Sequence, residues 1–500
     1  MHRGCRTAWL FLIALGPAAV GLGDTFEVDV FSDNPLIDDC APAPGDCSLR
    51  GAVLNANASP GQDTILLPAG GFALTLAGPD ELAMVGDLDL NDDVILEGAG
   101  PGFTVLDGEL LFDRFFTANA AVEIRDMSLV GAVSPGVGGA LLVDFPGSAL
   151  LERVEILGNR SELSGGGAFA LGDLTLRDCA VAGNVAEGPG GGLVVGIDAV
   201  LTLEDTLVVH NGTMADRGGG LYVTDSSMLI ALRSVIDDNR TGLSLPLAGG
   251  VGEQGAGAYV DAGALAHFEE SSIRRNRTSG PASAGGGIRA LGQIQLVATT
   301  LAWNRAEVGS AVSLADGAVA AVVNSTLSGN SGPFPLTGTF AVDSDSSALL
   351  RASTVRALPG DRALLAVGGL IVVEDSAFEG GCRFLAGASV PSIGGNVSAP
   401  TACWTDTAPQ LDDEVVEDLL VSQLADFGGL AFTHLPLPGS PLLDHALGAC
   451  TEFDQRGEPR VNCDSGAVER QAGDPAPIFV GHFESGTVDA WSASVGGPGE

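Results

Sequence analysis

Four side chains that could bind a ligand stand at equivalent places in successive segments of the chain. His210, Asp238, Arg275 and Trp303 are each followed directly by an asparagine. A tryptophan can stack on the face of a sugar ring, and an arginine can hold a carboxylate. The four residues therefore form a candidate carbohydrate-binding strip. The alternative is a ladder of favourable cross-strand pairs beside a surface aromatic side chain, with no ligand.

Catalytic motifs are scarce. The carboxylate doublets Asp92-Asp93 and Asp237-Asp238 resemble an acid–base pair, but adjacent residues of a strand point to opposite faces. The sequence contains no Gly-x-Ser-x-Gly elbow, His-Glu-x-x-His pair or dinucleotide fingerprint. The absence of lysine excludes Schiff-base chemistry. We therefore predict no catalytic residues and no cofactor, with calcium bound by Asp-rich turns as the remaining option.

The elements that position the strip follow from a repeat. Successive asparagines are separated by 25 to 37 residues, an interval typical of stacked supersecondary units. These asparagines are Asn159, Asn184, Asn211, Asn239, Asn276, Asn304 and Asn330. The residue three positions before each is a branched aliphatic, the residue five before is small, and apolar residues recur with the strand period of two.

These repeats predict an all-β chain folded as a right-handed parallel β-helix solenoid with a short N-terminal capping helix. Each unit carries small residues before a further strand, and in four units these are Gly-Gly; no segment is long enough for a helical crossover. The asparagines are interpreted as a hydrogen-bonded column in a turn, although Asn159, Asn239 and Asn276 also begin formal glycosylation sequons. The longest interval, from Asn239 to Asn276, predicts a protruding loop near residues 242–255.

The chain begins with features of an export signal. Arg3 and Arg6 precede an apolar run, and small residues stand before Asp24. We divide the sequence into a signal peptide (1–23), an N-terminal cap with the first coils (24–130), the repeats (131–380), a C-terminal region (381–470) and a flexible tail (471–500). No later apolar run is long enough to span a membrane. The sequence thus predicts a secreted or cell-surface protein.

Charge limits the partners. The 23 basic and 63 acidic residues give a net charge of −40, which repels nucleic acid and anionic lipid. A polysaccharide or a cell-surface component remains as a partner.

Seven cysteines follow the signal segment, and six of them form local pairs. In an oxidising compartment we expect Cys40 to bond with Cys47, Cys382 with Cys403 and Cys450 with Cys463, although spacing alone does not fix the connectivity. Metal binding by these cysteines is the weaker interpretation, since no CxxC pair accompanies them. Cys179 occupies a small-residue position of the repeat and is expected to be a buried free thiol.

Both ends of the chain carry motifs of a known family. The segments Cys47-Ser-Leu-Arg-Gly-Ala-Val-Leu-Asn-Ala-Asn57 and Cys463-Asp-Ser-Gly-Ala-Val-Glu469, with His434-Leu-Pro-Leu-Pro-Gly-Ser-Pro441 between them, resemble the signatures of bacterial choice-of-anchor Q domain proteins. The resemblance covers roughly residues 24–470 and implies an exported β-helix protein. Gly51 and Ser465 depart from the pattern, where an acidic and a bulkier aliphatic residue are expected.

The resemblance and the repeats together predict an exported structural or surface protein, adhesive or carbohydrate-binding, without evident catalytic machinery. The alternative is a polysaccharide lyase or glycoside hydrolase acting on an acidic polysaccharide, because parallel β-helices often carry such activities.

Overall fold

The computed structural model describes residues 23–475, except 79–81, 109–111, 215, 244–252, 333–337, 407–411, 430 and 448–449. The chain winds into a right-handed parallel β-helix, as predicted, with coils that pair in register through three sheets. The predicted signal peptide, most of the predicted tail at 471–500 and most of the predicted loop at 242–255 lie outside the described residues.

Strands of the largest sheet supply two faces of each coil. They are Thr25–Glu27, Asp63–Leu66, Gly70–Ala73, Val94–Glu97, Thr104–Asp107, Ala121–Val130, Ser148–Leu157, Leu174–Arg177, Ala180–Ala182, Val200–Glu204, Leu207–Val209, Met228–Leu232, Val235–Asp237, Leu265–Glu269, Ser272–Arg274, Gln293–Val297, Thr300–Ala302, Val319–Val323, Thr326–Ser328, Ser347–Arg351, Thr354–Arg356, Leu370–Glu374, Ala377–Glu379, Ser392–Gly394, Val397–Ala399 and Glu414–Val415.

Two smaller sheets complete the coil. The second sheet contains one strand from each of twelve coils: Leu88–Leu90, Phe116–Ala118, Leu141–Val143, Ala168–Ala170, Leu193–Val195, Leu221–Val223, Ala258–Val260, Ile288–Ala290, Val312–Leu314, Gly338–Val342, Arg362–Val367 and Cys382–Leu385. A third sheet is formed by Val133–Ser134, Arg160–Ser161, Val185–Ala186 and Gly212–Thr213.

The helix Leu49–Ala58 caps the N-terminal end, as predicted. The Ser48 hydroxyl accepts a hydrogen bond from the backbone N–H of Gly51 at 3.0 Å, which satisfies a free donor of the first turn. Leu49, Ala52 and Val53 are buried on one face of the helix. A β-carbon at Gly51 would stand 2.2 Å from the carbonyl oxygen of Ile37, so the acidic residue expected at this position would not fit.

Columns of aliphatic side chains form the core. The residues three positions before the repeat asparagines are all fully buried: Ile156, Val181, Val208, Ile236, Ile273, Leu301 and Leu327. Ile236 and Ile273 are register partners despite the long interval between their coils, which confirms the predicted stacking. The small residues five positions before each asparagine are also buried, because their side chains point into the solenoid at a second turn of each coil.

The asparagines form the predicted ladder. Asn276 illustrates it: its Oδ1 accepts hydrogen bonds from the backbone N–H and the Nδ2 of Asn239, both at 3.0 Å. Its own Nδ2 donates to Asn304 Oδ1 and to the carbonyl oxygen of Ile236. Asn159, Asn239 and Asn276 are at most 1% exposed, so the folded chain presents no acceptor amide at these sequons.

A segment after the last coils packs on the outside of the solenoid; we call residues 416–470 the C-terminal strap. Three outward threonines of successive coils, Thr300, Thr326 and Thr354, contact it. Thr300 Oγ1 donates to the carbonyl oxygen of Phe432 at 2.5 Å, Thr326 bonds to Gln455, and Thr354 Oγ1 accepts from the backbone N–H of Ala467. The strap therefore covers part of one sheet face.

The cysteines pair as expected. Disulfides join Cys40 to Cys47, Cys382 to Cys403 and Cys450 to Cys463, and Cys179 is free and buried. Three disulfides are consistent with an extracellular protein. Across the described part of the chain, no helix is long and apolar enough to cross a membrane.

Candidate functional site

The strip predicted from the sequence lies on one corner of the solenoid. His210, Asp238, Arg275 and Trp303 all adopt left-handed backbone conformations, with φ between 46° and 57°. This conformation turns the following asparagine inward while the preceding side chain stays outside. Glycine suits it best, and glycine fills the same place in other coils, as at Gly329.

Ion pairs occupy three of the four strip residues. His210 Nε2 lies 3.4 Å from Asp238, whose carboxylate also contacts Arg240 at 3.0 Å. Arg275 is held by Asp237 of the preceding coil and not by Asp238. Arg275 is therefore not free to take a ligand carboxylate. The adjacent residues Asp237 and Asp238 do not act together: Asp237 ends a strand, whereas Asp238 lies at the corner that follows it.

Trp303 remains available on the surface. Its side chain is 43% exposed, and one edge packs against Phe432 of the C-terminal strap, with ring centroids 6.3 Å apart at 75°. The structure thus brings the four predicted residues into one column, but only Trp303 presents a side chain without a charged partner.

A second column on the same corner was not predicted from the sequence. Arg240, Arg277 and Arg305 each directly follow a ladder asparagine, and they pair with one another as parallel bridges. We call these three residues the arginine ladder. They are exposed, and within the described residues no carboxylate lies in ion-pair distance of Arg277 or Arg305. The signal was present in the Asn-Arg dipeptides at residues 239–240, 276–277 and 304–305, of which the first two were considered only as sequons.

A polar depression of about 360 Å³ lies beside the arginine ladder. Arg277, Arg305, Ser279 and Glu307 are among its lining residues. Glu307 Oε2 accepts the backbone N–H of Ala282 at 2.7 Å, which holds this carboxylate in place. The depression therefore offers two guanidinium groups with hydroxyl groups beside them, an arrangement suited to an anion with hydroxyl substituents.

A groove continues the strip beyond Trp303. Its volume is about 540 Å³, and small or ring-constrained residues follow Trp303 along the corner: Gly329, Ala357, Gly380 and Pro400. One wall is the loop at residues 358–360, and the other is the C-terminal strap at Glu417, Gln423 and Leu424. Since the floor residues belong to successive coils, the groove runs along the solenoid axis, in line with the strip.

Several polar groups in this groove are already paired. Arg356 and Glu379 form an ion pair at 2.7 Å. His434 Nε2 lies 2.7 Å from Ser328 Oγ, and its Nδ1 lies 2.7 Å from the carbonyl oxygen of Ser422. Burial lowers the pKa of His434 to about 3. A neutral histidine of such low basicity does not suit a general base near neutral pH, so its hydrogen bonds are structural.

Metal-binding geometry is equally limited. In the part of the chain that the structure describes, no group of three or more His, Cys, Asp or Glu side chains could hold a metal ion. Asp92 and Asp93 serve a turn: Asp92 Oδ1 accepts the N–H of Asp93, and Asp93 Oδ1 accepts the N–H of Ala121.

No family model and no curated protein matches the chain. Similar solved structures include the A-module of mannuronan C-5 epimerase AlgE6 from Azotobacter vinelandii, at 18% identity, 71% coverage of this chain, 96% of that chain and a TM-score of 0.34. Pectate lyase Pel9A is 13% identical, with 91% of this chain and 98% of that chain covered and a TM-score of 0.36. A mutant of the PL6 family alginate lyase AlyGC is 11% identical, with 83% of this chain and 57% of that chain covered and a TM-score of 0.39. At this level of similarity we infer nothing about the ligand of this chain.

Proposed function

We propose that this protein is an exported β-helix protein that binds an anionic polysaccharide along the arginine ladder and Trp303. One observation carries the proposal: Arg277 and Arg305 are adjacent, exposed and, among the residues that the structure describes, without a carboxylate partner, in a chain of net charge −40. Many other arginines of the described surface are neutralised by carboxylates. Arg177, for example, contacts Glu152 at 2.9 Å and Glu204 at 2.8 Å.

The spacing of the ladder suits a linear polyanion. Arginines of adjacent coils stand about 4.8 Å apart, so positive charge repeats along the solenoid axis. A polyuronate likewise carries a carboxylate on each sugar ring, and a guanidinium can hold a carboxylate through two parallel hydrogen bonds. The acidic remainder of the surface is screened beyond about 8 Å at physiological ionic strength, so local charge governs contact with the ladder.

Trp303 adds an apolar platform at the end of the ladder. Its exposed ring lies where the strip enters the groove, so a sugar chain that follows the arginines would pass over the ring. Neutral sugars and charged sugars both present an apolar ring face, and the ladder supplies the preference for charge. This arrangement accounts for a carbohydrate-binding surface without catalytic groups.

We also propose that the chain is a choice-of-anchor Q domain protein and that it is exported. The support is the motif resemblance at both ends and the disulfides. The capping helix at residues 49–58 and the C-terminal strap are formed by two of the resembling segments. Determining the N-terminal residue of the protein secreted by its native host tests export.

A binding assay tests the ladder. Purified protein is titrated with polygalacturonate, alginate and neutral dextran, and affinity is measured by biolayer interferometry. We expect binding to the two polyuronates and not to dextran. The variant Arg277→Gln/Arg305→Gln should lose at least tenfold in affinity, because both free guanidinium groups are removed.

The matched control removes the same charge elsewhere. Arg153→Gln/Arg233→Gln deletes two exposed arginines that are already paired, with Asp126 at 2.7 Å and with Asp205 at 2.8 Å. Its affinity should stay within about twofold of wild type. Equal losses in both double variants would show that only net charge matters and would overturn the site.

The same samples test the catalytic alternative. Unsaturated products absorb in the ultraviolet, and hydrolysis creates new reducing ends. Appearance of either product in wild type would replace the binding proposal by a lyase or a hydrolase.

A further inference from the structure

The sequence contains two tyrosines among its 500 residues, and the fold places them side by side. Tyr222 and Tyr259 are register partners in adjacent strands of the second sheet, although 37 residues separate them in sequence. Both side chains lie on the outer face of the sheet, with ring centroids 5.7 Å apart and a tilt of 53° between the rings. The pair is separate from the arginine ladder, and its chemistry does not depend on the function proposed for that surface.

The hydroxyl group of Tyr222 has a proton acceptor. It donates a hydrogen bond to Asp261 Oδ2 at 2.7 Å. Burial raises the pKa of Tyr222, and the contact with Asp261 raises it further, so the phenol keeps its proton near neutral pH. A carboxylate in this position can take up the phenolic proton when the ring loses an electron, which makes oxidation of the ring easier. Asp261 thus favours Tyr222 as the ring that is oxidised first.

Tyr259 is held beside Tyr222 by an arginine. The guanidinium carbon of Arg217 lies 4.9 Å from the centroid of the Tyr259 ring, and Arg217 Nη1 donates a hydrogen bond to the Tyr259 hydroxyl at 3.3 Å. A cation over an aromatic face is attracted to the ring and restrains it. Asp261 and Arg217 therefore hold the two rings in a defined mutual position.

The two rings differ in exposure. Tyr222 is partly exposed, whereas Tyr259 is 2% exposed. An oxidant in solution therefore reaches Tyr222 first. Because the ring centroids are only 5.7 Å apart, an electron from Tyr259 can refill the Tyr222 radical, so Tyr259 is oxidised without direct contact with the oxidant.

We propose that Tyr222 and Tyr259 form an intramolecular dityrosine cross-link when the protein meets a one-electron oxidant, with Asp261 as the proton acceptor of Tyr222. Two phenoxyl radicals couple only if they meet before they are quenched. The register of the second sheet keeps these two rings together in every folded molecule.

The reaction removes two electrons and two protons from the pair. Each ring loses one electron and its phenolic proton; the proton of Tyr222 passes to Asp261 and that of Tyr259 to water. The two phenoxyl radicals form one carbon–carbon bond between Cε atoms, and the hydrogen on each of these carbons returns to the phenol oxygen. A peroxidase with hydrogen peroxide is one suitable oxidant, because one peroxide takes up both electrons and both protons and becomes two waters.

The cross-link would join the coils on either side of the longest repeat interval. The chain between the two tyrosines includes Asn239 and residues 240–257, where the protruding loop is predicted. Cleavage of the backbone anywhere in this stretch would leave both parts of the protein covalently connected.

Photo-oxidation of the folded full chain tests the proposal. The oxidant is the tris(bipyridine)ruthenium(II) ion with persulfate under visible light, and the protein is kept dilute to suppress coupling between molecules. We expect dityrosine fluorescence and a monomer whose mass is lower by two hydrogen atoms. Trypsin, which cuts after arginine, separates the tyrosines into the peptides 218–233 and 241–274, and these peptides should remain joined after oxidation.

Three comparisons show whether the fold directs the coupling. In concentrated urea the yield of the joined peptide should fall at least about fivefold, because the tyrosines become the ends of a flexible loop. Tyr222→Phe keeps the ring and should give neither fluorescence nor joined peptide. Asp261→Asn removes the proton acceptor and should slow cross-linking at least about threefold.

Asp225→Asn is the matched control for Asp261→Asn. Asp225 lies on the exposed turn after the strand of Tyr222, and its Oδ1 is 3.4 Å from Ser226 Oγ. This variant should cross-link at the wild-type rate. Far-ultraviolet circular dichroism checks that each variant is folded before oxidation. Absence of a joined peptide from folded wild type, equal yields with and without urea, or equal rates for Asp261→Asn and Asp225→Asn would each overturn the proposal.

Discussion

His434 links the C-terminal strap to the solenoid through Ser328, with 2.7 Å between Nε2 and the serine Oγ. The two residues are 106 positions apart in sequence. Since Nδ1 faces the carbonyl oxygen of Ser422, it carries the proton and donates it, and Nε2 accepts the hydroxyl of Ser328. The strap is thus fastened by a neutral, buried imidazole.

This neutral state predicts an acid-sensitive attachment. The pKa of His434 is about 3 in the fold and about 6.5 in the unfolded chain, so the unfolded chain binds more protons between these values. The contribution of His434 to stability is fully present above pH 6.5. It falls by up to about 1.4 kcal/mol per pH unit on acidification from pH 6.5 toward pH 3.

A variant isolates this contribution from other titrating groups. Burial raises the pKa of Asp464 to about 6, so Asp464 favours the fold on acidification and opposes His434. The free energy of unfolding of wild type and His434→Gln should therefore be compared by urea denaturation between pH 4 and pH 7. The difference between them should shrink as pH falls, and a difference independent of pH would contradict the assignment.

Leu301 and Trp303 should differ sharply in their effect on stability. Leu301 is fully buried in the aliphatic column, so Leu301→Ala should lower the free energy of unfolding by about 2–5 kcal/mol. Trp303 is half exposed, and Trp303→Ala should cost about 1 kcal/mol or less. By analogy with aromatic stacking on nucleic-acid bases, Trp303→Ala should weaken polyuronate binding by about 1–3 kcal/mol. Equal destabilisation of both variants in thermal unfolding would show that Trp303 serves the core.

Asn276 should be among the most sensitive polar positions. Asn276→Ala removes hydrogen bonds to Asn239, Asn304 and Ile236 and leaves buried groups unpaired, so we expect a loss of about 3 kcal/mol or more. The exposed Asn462 is the control, and Asn462→Ala should change stability by less than about 0.5 kcal/mol. Chemical denaturation measures both. A loss at Asn276 no larger than at Asn462 would remove the ladder from the stabilising interactions.

Cys179 should resist thiol reagents while the chain is folded. Burial raises its pKa to about 11, and its Sγ contacts the carbonyl oxygens of Leu151 and Arg177. At pH 8 the thiolate population is therefore small, and access requires opening of the coil. Intact-mass labelling should find this thiol modified only after denaturation. Rapid labelling of native protein would contradict its burial.

The solenoid could be predicted from sequence because its determinants repeat. The aliphatic column, the asparagine ladder and the cap at Ser48 each depend on residue types at fixed spacing, and all are present in the structure. The site was less predictable, because ion pairing depends on the direction that each side chain takes from its turn. Arg275 pairs with Asp237, whereas its place in the repeat aligns it with Asp238, so the sequence does not show which carboxylate it contacts.

The packing of the C-terminal strap could not be predicted from the repeats either. Its contact between Thr300 and Phe432 joins residues 132 apart, and nothing periodic relates the two segments. The disulfide between Cys450 and Cys463 could be expected from proximity, but the surface on which that loop packs could not.

The asparagine ladder has a consequence for how such a chain can change length. Asn239 still bonds to Asn276 across an interval of 37 residues, so the extra residues leave the stacking intact. Adding a complete coil, or adding residues at a corner, preserves the strand pairing of the neighbouring coils. A single residue gained or lost inside a strand would instead turn its aliphatic side chains to the outside. The coil thus fixes the register of the strands but not the length of the chain, and its corners are where new recognition elements can be added while the core stays unchanged.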